Sequence, residues 1–147
     1  MKRSQALISL SHEHHHALFV AKLMRDATEV EPTARKFADF WNDEGALHFR
    51  IEEEVLLPGS DLPGPSADPD VARVFDEHLD IRRRALRVLS GDASIDDLHQ
   101  LGTVLADHVR FEERQLFPRI ESSLDAARLE QLGSDIERAE TDGQPDA

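Results

Sequence analysis

Two stretches of this chain repeat one another. Residues 48–58 read HFRIEEEVLLP and residues 108–118 read HVRFEERQLFP, so His, Arg, Glu, Glu, Leu and Pro recur in place at an offset of 60 residues. Each copy sets a histidine four residues before a glutamate inside an apolar, helically periodic stretch: His48 with Glu52, and His108 with Glu112. On a helix that spacing stacks the two side chains on one face, one turn apart, with Cβ atoms roughly 5–6 Å from each other. An imidazole and a carboxylate buried together carry a desolvation cost that a cation between them offsets. Made twice, the arrangement points to helices with ligands on their inner faces and to a site for two metal ions.

A length of 147 residues fits one domain with its own core. The net charge of −13 argues against a nucleic-acid surface and against polybasic membrane contact, while leaving cation binding open. The absence of cysteine excludes disulfides, cysteine-held zinc, iron–sulfur clusters and thiolate-ligated haem. The absence of tyrosine excludes tyrosyl-radical chemistry and a tyrosine ligand. The start, MKRSQALISLSHEHHH, is too short in apolar residues for a secretory leader, and no stretch reaches the ~18–20 apolar residues of a membrane span. The expected location is cytoplasmic, by default.

Helical periodicity dominates and strand alternation is nowhere sustained. The pattern predicts helices over about 7–30, 34–57, 69–90 and 95–118, with Pro32 breaking the first from the second and Thr33 capping the second. The Pro/Gly-rich segment 58–69 forms the longest connection. A shorter helix over about 125–140 carries Leu129, Leu132 and Ile136 and is expected to lie across one end. The expected fold is all-α: an antiparallel up-down four-helix bundle with a short extra C-terminal helix, one domain over 1–140, and a frayed tail over 141–147.

Phased at 100° per residue, His108 and Glu112 fall among Leu101, Val104, Leu105, Phe111 and Gln115, whereas His99 faces the other way. His48 lies in the stripe of Phe37, Phe40, Trp41, Leu47, Ile51 and Val55, with Glu52 at its edge and Glu44 one turn before. His78 is bracketed by Val71, Val74, Ala85 and Leu89, and Arg82 follows it inward. In the first helix His12–His16 cover most of the circumference. Leu18 and Phe19 at i+3 and i+4 favour His15, with His14 the alternative. Glu53, Glu54, Glu113 and Arg114 read as a solvated or loosely paired face. The inward set is four imidazoles and two carboxylates, which suits iron, manganese or zinc and leaves coordination positions open for a small diatomic molecule.

A competing pattern is the HExxH at 12–16, which would make a zinc hydrolase with Glu13 as general base. His12 and His16 sit off the apolar face, which disfavours it. Ferritin-like di-iron proteins need Glu-x-x-His on two helices, whereas the repeated order here is His-then-Glu.

Over residues 7–122 the chain resembles the hemerythrin-like family, the HHE cation-binding domain. The likeness rests on EHHHALF, HFRIEEEVLLP, EHLDIR and HVRFEERQLFP, in the family's order. The resemblance implies a non-haem di-iron centre held by His15, His48, Glu52, His78, His108 and Glu112. The implied cofactor is two iron ions (Fe2+/Fe3+), oxo- or hydroxo-bridged, with zinc or manganese as substitutes. It also implies binding, sensing or handling of O2, NO, peroxide or iron itself. Two departures stand out. Oxygen-carrying members have a second histidine where this chain has Arg82, and they place the helix-four carboxylate at the position of Glu113. Glu113 therefore stays a candidate ligand, and His14 and Glu44 are candidates for the missing one. The leading expectation is a di-iron protein that senses, stores or scavenges a small molecule, with catalysis left open. The alternatives are a di-iron oxidase, peroxidase or NO-stress repair enzyme, and an interaction module stapled by metal.

Overall fold

A computed structural model describes residues 2–143, and no strand occurs among them. A short 3-10 turn (Gln5–Leu7), capped by Ser4, leads into α1 (Ile8–Arg25). The second helix, α2, runs over 30–59, and α3 is Pro69–Leu89. The fourth helix, α4, runs over 95–123, and α5 is Ala126–Asp142. The break between α1 and α2 falls at residues 26–29 rather than at Pro32. Pro32 sits in the first turn of α2, where an amide has no intrahelical partner and proline costs nothing. The last helix begins on its Asp125 cap, as the sequence suggests, and extends to Asp142. Of the tail expected to fray, residues 144–147 lie outside the described part.

Both copies of the repeat carry the same backbone irregularity. In α2 the stretches Trp41–Gly45 and Glu52–Leu56 are wound as π turns, and in α4 so is Glu112–Leu116. The Leu57 amide donates to the Glu52 carbonyl, and the Phe117 amide to the Glu112 carbonyl, each five residues back. Pro58 and Pro118 explain the placement. Each lacks an N–H, and its ring crowds the carbonyl four residues earlier, so the turn before it widens. The extra residue shifts the helical phase. Beyond it Leu56, Leu57, Leu116 and Phe117 turn inward, while Gln115, expected inside, is exposed.

The helix α1 packs along α4 and also against α2, and α3 packs against α2 and α4. The α1–α4 seam is lined by small residues, and Gly102 of α4 lies against the backbone of Ala21 and Arg25. The helix α5 covers the 5–7 turn and the 46–56 part of α2, burying Leu132 and Ile136. The core is divided in two. One apolar cluster gathers Ala17, Met24, Phe37, Trp41, Ile81 and Leu105. The other gathers Leu10, Leu56, Val74, Leu116, Phe117 and Ile120. Along α1 and α3 the second cluster comes first, then the inward histidine, then the first cluster; along α2 and α4 the order is reversed. A band of buried histidine and glutamate lies between.

The start of α3 is held by Asp68. Its carboxylate accepts from the Asp70 and Val71 amides and from both ends of the Arg119 guanidinium, at 3.0 and 2.7 Å. The Arg119 hydrogen bonds, with the backbone amides, hold its pKa down at about 2 against an ordinary 3.8. Asp68→Ala removes cap and ion pair together and should cost about 1–3 kcal/mol at neutral pH. A carboxylate lowered on folding stabilises above its unfolded pKa and loses that contribution as pH falls through the folded one. Urea melts should therefore show the Asp68→Ala penalty in full above pH 3.8 and fading toward pH 2.

Candidate metal centre

The four helices each deliver one histidine to the polar band: His14 from α1, His48 from α2, His78 from α3 and His108 from α4. All four are buried, and their Nε2 atoms converge on the fully buried carboxylates of Glu52 and Glu112. The donors fall into two sets. His14 and His48 share one with an oxygen of each glutamate; His78 and His108 share the other with the remaining oxygens. Glu52 turns Oε2 toward His48 (3.1 Å) and Oε1 toward His78 (3.0 Å). Glu112 turns Oε1 toward His14 (3.0 Å) and Oε2 toward His108 (3.4 Å).

Within each set the two Nε2 atoms are 3.1 Å apart. Two nitrogens at that separation, each about 2.1 Å from a common ion, subtend roughly 95° at it. Glu112 Oε2 is buried without a hydrogen-bond partner. An orphaned carboxylate oxygen is costly in a core, and a cation in the second set would satisfy it. Imidazole nitrogens and carboxylate oxygens in this ratio fit iron, manganese or zinc.

The outward ring nitrogens are tied down with equal regularity. His14 Nδ1 meets Glu113 (2.6 Å), His48 Nδ1 meets Glu13 (2.9 Å), His78 Nδ1 meets Glu53 (2.6 Å) and His108 Nδ1 meets Glu77 (2.8 Å). With Nδ1–H donating to a carboxylate, the Nε2 lone pair is aimed at the centre and made more basic. Three of these carboxylates have a cation behind them: Arg3 at Glu113, Arg73 at Glu77, and Arg82, in a two-pronged pair, at Glu53.

The structure corrects several sequence expectations. His15 is exposed; the α1 histidine in the cluster is His14, because Leu10, His14, Ala17 and Ala21 share the buried face. Glu113 and Glu53 are orienting carboxylates rather than a solvated face. Arg82 holds Glu53 and stands outside the donor sets. Glu44 pairs with His16 at the rim. His12 and His16 of the HExxH pattern are both exposed and Glu13 is engaged with His48, so these three form no zinc site. His99, expected on the surface, reaches the Ala27 carbonyl at 2.8 Å. Glu77 went unread and Glu13 was weighed only as the base of the HExxH pattern, although a signal existed: the dipeptide Glu-His recurs at 13–14 and 77–78 and marks the cluster histidine each time.

Without metal the cluster balances its charges through protons. Burial alone would lower the histidine pKa values, but the neighbouring carboxylates outweigh it. Glu52 and Glu13 lift His48 to about 9, and Glu112 and Glu77 lift His108 to about 10. Glu112 and Glu113 likewise raise His14. Burial would raise the glutamates, yet His48 with His14 and His78 holds Glu52 well below its usual range, and His78 with Arg82 holds Glu53 at about 2. Entry of metal ions replaces Nε2 protons and releases them.

Beside His14, His48 and His108 lies a cavity of about 20 Å³, walled by Ala17, Phe40, Trp41, Gly45, Phe49, Leu105 and Val109, with Glu13 and Glu44 among its lining. That volume holds about one water-sized molecule.

The family model described as the hemerythrin HHE cation binding domain matches residues 6–120. The chain belongs to this family. The match takes in all six inward donors and the four orienting glutamates. The chain is also similar to a protein named DNA nickase from Nostoc sp. (strain PCC 7120 / SAG 25.82 / UTEX 2576), 26% identical over 141 residues. That alignment covers 93% of this chain and 39% of the relative, so the HHE-family chain spans about two fifths of that protein's length. No solved structure matches it significantly. No helix among the described residues is long and apolar enough to cross a membrane.

Proposed function

We propose that this HHE-family chain is a hemerythrin-like protein that holds two iron ions and uses them to bind or handle a small molecule such as O2, NO or peroxide. The residues that would hold them are His14 and His48 in one donor set, His78 and His108 in the other, with Glu52 and Glu112 contributing to both sets. The observation that carries the reading is the division of each buried carboxylate, one oxygen to each histidine pair. The helix directions inferred from the order of the apolar clusters support an up-down bundle around them.

When bound, iron would supply a redox-active Lewis acid. The chain's own residues do the rest. The four outer glutamates keep the imidazoles aimed, the two apolar clusters exclude bulk water from above and below, and the small cavity beside His14, His48 and His108 has room for a molecule of about diatomic size. Glu13, at that cavity and hydrogen-bonded to His48 Nδ1, is placed to hold a proton there.

Anaerobic loading with ferrous salt and elemental analysis should give two ions per chain, with a change in visible absorption on adding air or NO. A stoichiometry near zero after reconstitution rejects the reading. Turnover of peroxide by the loaded protein would assign an enzyme rather than a carrier or sensor. The likeness to a DNA nickase supports a second reading, phosphodiester hydrolysis by two adjacent ions. Nicking of supercoiled plasmid by the loaded chain, abolished in Glu52→Ala, would favour it. The net charge of −13 weighs against it.

A further inference from the structure

The large apolar side chains exposed among the described residues are Phe19, Phe75, Leu79, Leu86 and Leu89, and four of the five lie on α3. Their exposures are 36% for Phe75, 56% for Leu79, 66% for Leu86 and 40% for Leu89. Scattered exposed leucines need no account, but these are in register. With Arg82 included, the positions 75, 79, 82, 86 and 89 alternate steps of four and three. That 3.5-residue period is the seam by which one helix packs along another. Arg82 fits the seam because Glu53 holds its guanidinium at 2.7 and 3.0 Å, leaving the aliphatic stem to continue the stripe. The face of α3 turned to the bundle, about a quarter-turn around from the stripe, buries Val74, His78, Ile81 and Ala85.

Charge beside the stripe selects the occupant. Asp76 and Arg83 flank it on the same side, seven residues apart, and both are exposed. Among the described residues neither has an ion-pair partner, although Arg73, Asp80 and Arg84 around them do. The acidic residue lies toward the start of α3 and the basic one toward its end.

We propose that α3 is the contact through which two copies of this chain pair, their α3 helices antiparallel about a two-fold axis near residues 80–81. In that register Phe75 meets Leu86 of the second copy and Leu79 meets the stem of Arg82 of the second copy, each contact made twice by symmetry. The same register sets Asp76 beside Arg83 of the second copy, also twice. A parallel pairing would put the two copies of these residues on opposite sides of the seam, so Asp76 would have no Arg83 beside it and the complementarity would be lost. The seam runs over 15 residues of α3, about 21 Å at 1.5 Å per residue, so the interface is small and its affinity modest. Each copy carries −13, and screening at about 0.15 M salt is needed before the seam can close.

Sedimentation equilibrium of the metal-loaded chain, from about 5 μM to about 1 mM at that ionic strength, tests this. The mass should rise from 16.6 kDa toward twice that value. Leu79→Glu with Leu86→Glu should remain monomeric throughout, with helicity and metal content unchanged. Asp76→Arg and Arg83→Asp should each weaken the dimer at least tenfold, and the two together should restore it. A wild-type monomer at every concentration overturns the proposal and leaves the stripe to a different protein. A dimer that survives the two glutamates, or a charge swap that fails to restore pairing, overturns it as well. Should the double glutamate variant lose helicity, the charge-swap set decides alone.

Discussion

Glu52→Ala is expected to strip both metal ions from the chain, whereas His14→Ala or His78→Ala should weaken one ion far more than the other. The difference follows from position. Glu52 gives one oxygen to the His14/His48 pair and the other to the His78/His108 pair, so its loss removes a donor from each. His14 and His78 each belong to one set. Glu112→Ala should behave like Glu52→Ala for the same reason. The loss extends to the fold. In the metal-free protein Glu52 is the counter-charge for His48 and His14, and breaking a buried charge pair by removing one partner costs about 3–5 kcal/mol. Elemental analysis and thermal melts, with and without chelator, check both parts. Chelator should lower the wild-type melting temperature markedly and leave Glu52→Ala almost unmoved. Equal metal loss across the glutamate and histidine variants would defeat the distinction between shared and terminal ligands.

Gly102→Ala carries the second large expectation. A Cβ at Gly102 would stand 2.6 Å from the Ala21 carbonyl oxygen and 3.0 Å from the Arg25 amide, both backbone atoms of the facing helix. Neither can rotate away, so α1 and α4 must separate. Overpacking of this kind costs about 1–3 kcal/mol, against the ~1 kcal/mol that alanine gains over glycine within a helix. The separation reaches the centre, because α1 carries His14 and α4 carries Glu112, now 3.0 Å apart. Metal affinity should fall along with the melting temperature. Gly64→Ala, in the connection where an added Cβ meets nothing within 4 Å, is the matched control and should leave both unchanged. A Gly102→Ala protein as stable as wild type would remove the tight seam from the account.

How far the sequence could be read depends on how local each signal was. The histidine and glutamate of each repeat were legible because their spacing and their apolar neighbours lie on one helix. His78 was legible for the same reason. The choice between His14 and His15 was not, because apolar residues on both sides of α1 straddle them and the true face is set by the α4 seam. The π turns went unread as well. They arise from Pro58 and Pro118 acting on carbonyls a turn earlier, and a fixed 100° phase carried through them put Gln115 on the wrong side. Of the outer carboxylates, Glu113 was a candidate only through the resemblance, while Glu53 and Glu77 went unrecognised. Glu113 and Glu53 fall on flanking phases of their own helices, and what makes them matter is a histidine on another helix, which no single-helix pattern reveals. The start of α2 was misplaced because proline was taken as a break where it sits harmlessly in a first turn.

The polar band divides the interior into two oily halves built from the same four helices. Cohesion between the halves then depends on whatever neutralises the band. Cations in place would rivet the molecule across its waist; with them withdrawn, protons shared among imidazoles and carboxylates would have to offset the band's charge instead. Metal supply would thereby govern how cooperatively the fold holds together, as well as what it can bind.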